Sequence, residues 1–158
     1  MNLSKNLSLT EATKSHTAKR HGLANQPVLS IINNLRLVAE NVFQPLRDAV
    51  KVPIAVTSGY RSVPLNKLVG GARNSQHSTG HALDLDAHVH GGVTNKELFE
   101  YVRDYLCFDQ LIWEYGTDEE PDWIHVSYVS DSQNRCRVLK AYRHDGRTKY
   151  KNITNGEE

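Results

Sequence analysis

The stretch SQHSTGHALDLD, residues 75–86, contains the pattern on which the interpretation of this chain depends. After Gly80, polar and apolar residues alternate, and alternation with a period of two predicts a β-strand. The two leucines of this strand share one face, whereas Asp84 and Asp86 lie on the other. A buried strand seldom carries two carboxylates on one face without a cation or hydrogen-bond donors to receive them. The sequence therefore predicts a polar site on this face.

A metal ion would account for those carboxylates. His77 lies in the preceding loop, within reach of the face of Asp84, and imidazole with carboxylate is an ordinary pair of zinc ligands. His125, in mid-strand among apolar residues, is the best candidate for a third ligand. Three protein ligands leave one position of a tetrahedral zinc for water, which is typical of catalytic sites. Asp122, at the irregular end of a loop, is then the candidate base that collects a proton from this water.

These residues resemble the motif of the zinc D-alanyl-D-alanine carboxypeptidases and the related phage endolysin peptidases. That motif has Ser-x-His, then Gly-x-Ala-x-Asp, and far downstream an acid-x-x-His. The chain matches it at Ser75, His77, Gly80, Ala82, Asp84, Asp122 and His125. The resemblance implies that Zn²⁺ is the cofactor, that His77, Asp84 and His125 are its ligands, and that Asp122 is the general base.

The same resemblance implies a substrate and two residues that contact it. The substrate would be a stem peptide of bacterial peptidoglycan, cleaved by a D,D-carboxypeptidase or by an endolysin-type endopeptidase. Arg61, in the segment Ser58–Ser62, would hold a substrate carboxylate or polarise the scissile carbonyl. Ser75 would donate or accept a further hydrogen bond on the substrate side. A non-catalytic cell-wall binding module, or a phage structural protein with a retained metal site, is the alternative.

These candidate site residues also have structural interpretations that involve no metal. Asp84 would instead be a buried acid paired with Arg61, and His125 a hydrogen-bonded core histidine. Asp122 would belong to a solvated acidic loop, since runs of charge are usually exposed. His81 stands four residues after His77, a spacing found in zinc-binding helices, but the alternating pattern favours a strand and a structural role for His81.

Two further acids are candidates for orienting a ligand or the substrate. Asp86 lies on the predicted ligand face, and Glu114 lies in the β-rich segment 111–115. For Glu114 the alternative is a solvent-facing strand acid. His88 and His90 are predicted to be loop histidines.

Local signals predict an α+β fold, with N-terminal helices packed on a mainly antiparallel sheet that carries the zinc site. A capping box at Ser8 predicts a helix over residues 9–20, and Asn25 with Pro27 predicts the start of a second, which Pro45 kinks or splits. The later elements are a helix opened by Thr94, antiparallel strands over 111–115 and 123–128, and a hairpin at Asp145-Gly146.

Composition limits the class of protein. The 158 residues predict a single domain, residues 1–158, with a helical part over 1–50, a metal-binding core over 51–130 and a hairpin with a tail over 131–158. The net charge of +1 argues against a nucleic-acid binder. No apolar run is long enough to insert into a membrane, and a monomer is expected. The first residues lack the apolar segment of a secretory signal, which predicts a protein that is cytoplasmic as synthesised and reaches the cell wall by phage-type release.

The C-terminal part is the most basic. Residues 131–151 contain seven Lys and Arg against two acids. A hairpin edge protected by charge is the favoured interpretation, and attraction to an anionic cell-wall polymer is the alternative.

Overall fold

The alternating segment forms the predicted strand, and it lies inside a six-stranded sheet. The structure is a computed structural model, which describes residues 1–156. Its strands are β1 (Asn2–Ser4), β2 (Leu7–Ser8), β3 (Ala55–Ser58), β4 (Ala82–Asp86), β5 (Gln110–Glu114), β6 (Trp123–Ser127), β7 (Arg137–His144) and β8 (Arg147–Asn152). Its helices are α1 (Leu9–Thr13), α2 (His16–Arg20), α3 (Leu29–Val38), α4 (Gln44–Val50), α5 (Val63–Leu68) and α6 (Asn95–Tyr105).

The main sheet has the strand order β3-β4-β6-β5-β7-β8. All its neighbouring strands are antiparallel except β5 and β7, and β1 pairs with β2 in a separate two-stranded sheet. Helices combined with a mainly antiparallel sheet confirm the α+β class. Within residues 1–156, no helix is long and apolar enough to cross a membrane.

The two faces of the sheet have different environments. One face packs against the helices, and its members include Leu83, Leu85, Leu111, Ile124 and Val126, all without exposed surface. Burial of each such side chain contributes about 2 kcal/mol, so this face supplies much of the stability. The opposite face carries Asp84 and His125 together with a small apolar cluster of Ile112, Leu139 and Ala141. The candidate site therefore lies on the face that the helices leave uncovered.

The first predicted helix is wrong in its length. The capping box is present, because the Ser8 side chain accepts from the N–H of Glu11 while the Glu11 side chain accepts from the N–H of Ser8. The helix nevertheless ends at Thr13, since Lys14 is extended and the side chain of Ser15 caps α2 by accepting from the N–H of Ala18. One predicted helix over 9–20 is thus two short helices.

The second predicted helix starts later than expected. Asn25 does not cap it; the Asn25 side-chain amide donates to the carbonyls of Thr13 and Tyr60 and its oxygen accepts from the N–H of Ser62. The chain becomes helical only at Leu29. The predicted interruption near Pro45 is confirmed, because a π-helical segment, Ala39–Phe43, separates α3 from α4.

The later elements follow their predictions closely. The side chain of Thr94 accepts from the N–H of Glu97 at the start of α6. Strands β5 and β6 pair antiparallel, as expected. Asp145 and Gly146 have φ values of 52° and 71°, the left-handed geometry that a two-residue hairpin turn requires.

Candidate metal centre

The three predicted metal ligands lie close together in the structure. His77, Asp84 and His125 each offer one ligand atom, and these atoms lie within 4.8 Å of one another. The Nε2 atom of His77 lies 3.2 Å from Oδ1 of Asp84, and Nδ1 of His125 lies 3.0 Å from the same oxygen. The two imidazole rings meet edge to face, with their centroids 5.0 Å apart. We name this group the His-Asp-His cluster.

Strand register explains how residues so distant in sequence meet. Asp84 on β4 stands directly opposite His125 on β6, so both side chains project from the same face. His77 belongs to the loop between α5 and β4, and it approaches that face from outside the sheet. All three residues are almost fully buried. The cluster is therefore held by two central strands and one loop.

The orientation of His77 depends on its second ring nitrogen. Nδ1 lies 2.7 Å from the carbonyl oxygen of Gly59, to which it donates. Gly59 lies against α1 so closely that a Cβ atom there would be 2.1 Å from the carbonyl oxygen of Ala12. The N–H of Tyr60 also donates to that Ala12 carbonyl. Helix α1 thus fixes the backbone that orients His77.

The donor set fits a divalent metal ion. With Nδ1 donating to Gly59, a neutral His77 presents the lone pair of Nε2 toward an oxygen of Asp84 that is also an acceptor. Two acceptors at this distance repel each other unless a proton or a cation lies between them. Metal-bound histidines usually donate their other N–H to a carbonyl or carboxylate, as His77 does. Two imidazoles with one carboxylate are ligands that zinc commonly takes.

Electrostatics keep Asp84 ionised. Burial acts to raise the pKa of Asp84, whereas electrostatic attraction to the two histidine rings and hydrogen bonds with them lower it. The balance holds the pKa of this carboxyl well below its ordinary value. An ionised Asp84 is the form that a metal ion requires.

Arg61 lies beside the cluster. Its Nη2 atom is 3.5 Å from Oδ2 of Asp84, while Nε donates to Ser58 and Nη1 donates to Asn66. The alternative pairing of Asp84 with Arg61 is therefore present, but it uses Oδ2 and leaves Oδ1 to the two imidazoles. The Arg61 side chain keeps 19% of its surface exposed, so a substrate can reach it.

Ser75 shapes the loop that carries His77. Its Oγ accepts from the N–H of His77 at 3.2 Å, which closes a local turn. The neighbouring Gln76 donates from Nε2 to Asp109 at 2.8 Å. Contact of Ser75 with a substrate stays a prediction.

Asp109 is a functional candidate that the sequence analysis missed. It is 2% exposed, and it accepts from Gln76 as well as from the backbone and guanidinium of Arg135. Burial acts to raise the pKa of Asp109, but these hydrogen bonds outweigh it and lower the pKa to about 2. The loop of His77 is thereby tied to the start of β5. A single acid before a predicted strand gives no sequence signal for this role.

Asp122 lies at the start of β6, outside the His-Asp-His cluster. Its N–H donates to the carbonyl of Glu114, and its own carbonyl accepts from Asn95. The side chain is exposed and lines a cleft together with Lys96 and Phe99 of α6. Within residues 1–156, its carboxylate makes no hydrogen bond or ion pair. The role of Asp122 as a general base stays a prediction.

Glu114 lies on the face of the cluster. Ile112 stands opposite His125 and Glu114 opposite Trp123, so Glu114 projects from the same side as His125. It is only 8% exposed, which overturns the alternative of a solvent-facing acid. Burial raises the pKa of Glu114 to about 7, with smaller contributions from the charges of His125, Asp84 and Arg61. In the described part of the chain, its carboxylate has no hydrogen-bond partner.

Asp86 and the remaining histidines have other contacts. Asp86 accepts from the N–H of His88 and from the side chain of Asn95, at the end of β4. Asn95 has no exposed surface, and its amide also donates to the carbonyl of Asp122. His81 bonds Thr79 and stays outside the cluster, as predicted. Sequence patterns did not reveal Asn95, which joins β4 to the loop before β6.

Comparison with known proteins places the chain among peptidases. Residues 5–127 match the sequence pattern of the family described as Peptidase M15. The chain is also similar to the zinc D-Ala-D-Ala carboxypeptidase of Streptomyces albus G, with 56% identity over 49 residues. That alignment covers 30% of this chain and 19% of the relative, so the chain spans about a fifth of the length of the curated protein it matches.

Proposed function

The chain belongs to the peptidase M15 family, and from this premise we propose that it is a zinc-dependent hydrolase of peptide bonds in peptidoglycan stem peptides. The observation that carries the proposal is the His-Asp-His cluster, in which three buried donors face one another within 4.8 Å. Similarity to the zinc D-Ala-D-Ala carboxypeptidase of Streptomyces albus G supports both the metal and the class of substrate. The masses of the products distinguish cleavage of a terminal D-Ala-D-Ala bond from cleavage of an internal bond.

The residues of the cluster would hold the zinc ion through Nε2 of His77, Oδ1 of Asp84 and Nδ1 of His125. When bound, zinc supplies Lewis-acid chemistry and makes hydroxide available near neutral pH. The protein itself must then orient the peptide, accept a proton and deliver it to the leaving nitrogen.

Two acids are candidates for the proton acceptor. Asp122 is the one that the resemblance implies. Glu114 is supported by its position, because its carboxylate is buried on the face of His125, where burial raises its pKa above the ordinary value. One of these two carboxylates accepts the proton, and the variants Glu114→Gln and Asp122→Asn distinguish them.

Arg61 and Ser75 would act on the substrate. Arg61 is already fixed by Ser58, Asn66 and Asp84, so a carboxylate or carbonyl of the peptide meets a pre-oriented guanidinium. Ser75 lies two residues from His77, and its hydroxyl would form a hydrogen bond on the substrate side. Release to the cell wall when the membrane opens, and a monomeric state, stay predictions.

The test is digestion of purified peptidoglycan by the zinc-loaded protein, followed by mass spectrometry of the soluble products. We expect released peptides, and we expect a chelator to abolish the release and added Zn²⁺ to restore it. Undiminished release in chelator contradicts the proposal. Binding to peptidoglycan without any released peptide would instead favour the non-catalytic alternative.

A further inference from the structure

The face of the His-Asp-His cluster continues onto the C-terminal hairpin. Asp84 stands opposite His125, His125 opposite Ile112, Ile112 opposite Leu139, and Leu139 opposite Asn152. This row crosses five strands without interruption. Neighbouring strands are about 4.8 Å apart, so the row extends about 14 Å from β6 to β8, the length of about four extended residues. Both β7 and β8 lie beyond residue 127, where the family match ends.

A second row runs parallel to the first, one step along the strands. It passes from Trp123 through Glu114 and Ala141 to Tyr150. Tyr150 is 55% exposed at the end of this row. Burial, with the charges of Glu114 and Asp84 contributing, raises the pKa of Tyr150, which agrees with a ring on the same face as the cluster.

Tyr115 and Arg143 lie at one end of these two rows. Tyr115 has a φ of 56°, an uncommon conformation for a residue other than glycine, and its ring packs on the apolar cluster of Ile112, Leu139 and Ala141. The Tyr115 hydroxyl bonds Thr148 at 2.6 Å. The guanidinium of Arg143 lies 4.9 Å from the centre of the Tyr115 ring. Across residues 1–156, this guanidinium has no hydrogen bond or ion pair, so its donors are free for a ligand.

We propose that the exposed side chains of Arg143 and Tyr150, on the same face as the buried Ile112, Leu139 and Ala141, form a surface that binds the part of the peptide substrate on one side of the scissile bond. The inference rests on the proposed function. Its occupant is an extended peptide with a free carboxylate, because the surface shares a face with the cluster, offers the exposed ring of Tyr150 and is cationic at Arg143. The carboxylate pairs with Arg143. Tyr150 packs against the peptide backbone.

The hairpin supplies its own matched controls. Side chains alternate between faces, so Tyr142 and Lys149, which stand opposite each other, project from the other side of the same two strands. Tyr142 is 43% exposed, close to the exposure of Tyr150. Tyr142→Ala and Lys149→Gln thus remove the same kinds of group from the wrong face.

The experiment compares Tyr150→Ala and Arg143→Gln with these two controls. The first readout is calorimetric binding of purified stem peptides, three to five residues long, to the metal-free protein. The second is KM and kcat of the zinc-loaded protein on those peptides and on N-acetylated D-Ala-D-Ala. We expect about tenfold weaker binding and higher KM for the long peptides in the two test variants, with kcat and the short substrate unchanged within about twofold.

The outcomes separate this inference from the proposed function. Equal binding by test and control variants overturns the inference even if hydrolysis is normal. Equal losses of binding in the test variants and the control variants also overturn it, because they would show that binding depends on the hairpin as a whole rather than on one of its faces. If no protein hydrolyses any peptide, the proposed function fails, while selective loss of binding in Tyr150→Ala and Arg143→Gln still supports the surface.

Discussion

The strand pair β4–β6 and the hairpin β7–β8 contribute to the same face of one sheet, but they differ in how their polar groups are held. On β4 and β6, Asp84 and His125 are buried and bonded to each other. On the hairpin, Arg143 and Tyr150 are exposed, and Arg143 lies against the ring of Tyr115, with no ion pair to any residue in the described range 1–156. In the first region, burial and mutual hydrogen bonds hold the donors in place, whereas the second region leaves donors open to a ligand.

This difference teaches which region is suited to chemistry and which to binding. A metal ion needs donors held at set distances, and burial among hydrogen-bonded neighbours supplies that rigidity. A peptide-binding surface needs accessible groups that a ligand can desolvate. Five test variants, with one control variant, probe the difference between these regions.

The largest effect is expected from Asp84→Asn. Removal of the charge between the two imidazoles should abolish metal binding and hydrolysis, because a neutral amide is a poor zinc ligand. Metal content by mass spectrometry and the hydrolysis rate measure this. Asp86→Asn, on the same strand, is the control and should retain its metal. A metal-loaded, active Asp84→Asn protein would contradict the assignment of the cluster.

The next effect comes from the two candidate bases. Glu114→Gln or Asp122→Asn, whichever removes the true proton acceptor, should lower kcat by about 100- to 10,000-fold while leaving the metal content unchanged. The burial of Glu114 on the cluster face leads us to expect the larger loss from Glu114→Gln. Rates close to wild type for both variants would exclude both carboxylates.

Asp109→Asn should have a smaller effect, and one that depends on pH. The pKa of Asp109 is about 2 in the folded protein and about 4 in an unfolded chain, so its ionised form stabilises the fold above about pH 4. That contribution, about 1–2 kcal/mol, is lost as the pH falls through 2. Urea unfolding measures this. The free energy of unfolding should be lower for the variant than for the wild type at pH 7, and the two values should converge at low pH. A difference independent of pH would contradict the assigned cause.

The smallest effect is expected at the turn of the hairpin. Gly146→Ala places a side chain at a φ of 71°, which costs about 1 kcal/mol although nothing lies within 4 Å of the new Cβ. The melting temperature should fall by about 3 °C. Hydrolysis of N-acetylated D-Ala-D-Ala should stay within about twofold of wild type. A large loss on this short substrate would show that the centre depends on the hairpin.

The sequence predicted that His77, Asp84 and His125 converge, because their placement follows simple rules. Alternation placed Asp84 on one face, and an imidazole in an apolar strand marked His125 as needing a partner. Both rules depend only on neighbours along the chain. The meeting of these residues with His77 then follows from the antiparallel register of β4 and β6.

Other features depended on contacts that no local pattern contains. Asn25 has the sequence signature of a helix cap, yet its amide binds the backbone of Thr13, Tyr60 and Ser62 instead. Asp109 and Asn95 are buried hubs between segments far apart in the sequence. Glu114 has the sequence pattern of a solvent-facing strand acid, yet it is only 8% exposed because β6 and β7 flank β5 on both sides. Tertiary structure decided each of these cases.

The parallel pairing of β5 with β7 has a consequence for the handling of this protein. β5 carries three consecutive apolar residues, Leu111, Ile112 and Trp113. One edge of β5 pairs with β6, and β7 forms backbone hydrogen bonds with the other edge. A fragment that ended at residue 128 would turn β5 into a bare edge strand, able to pair with another copy and aggregate. In the intact chain the outer edge is β8 instead, whose Arg147, Lys149 and Lys151 repel such pairing.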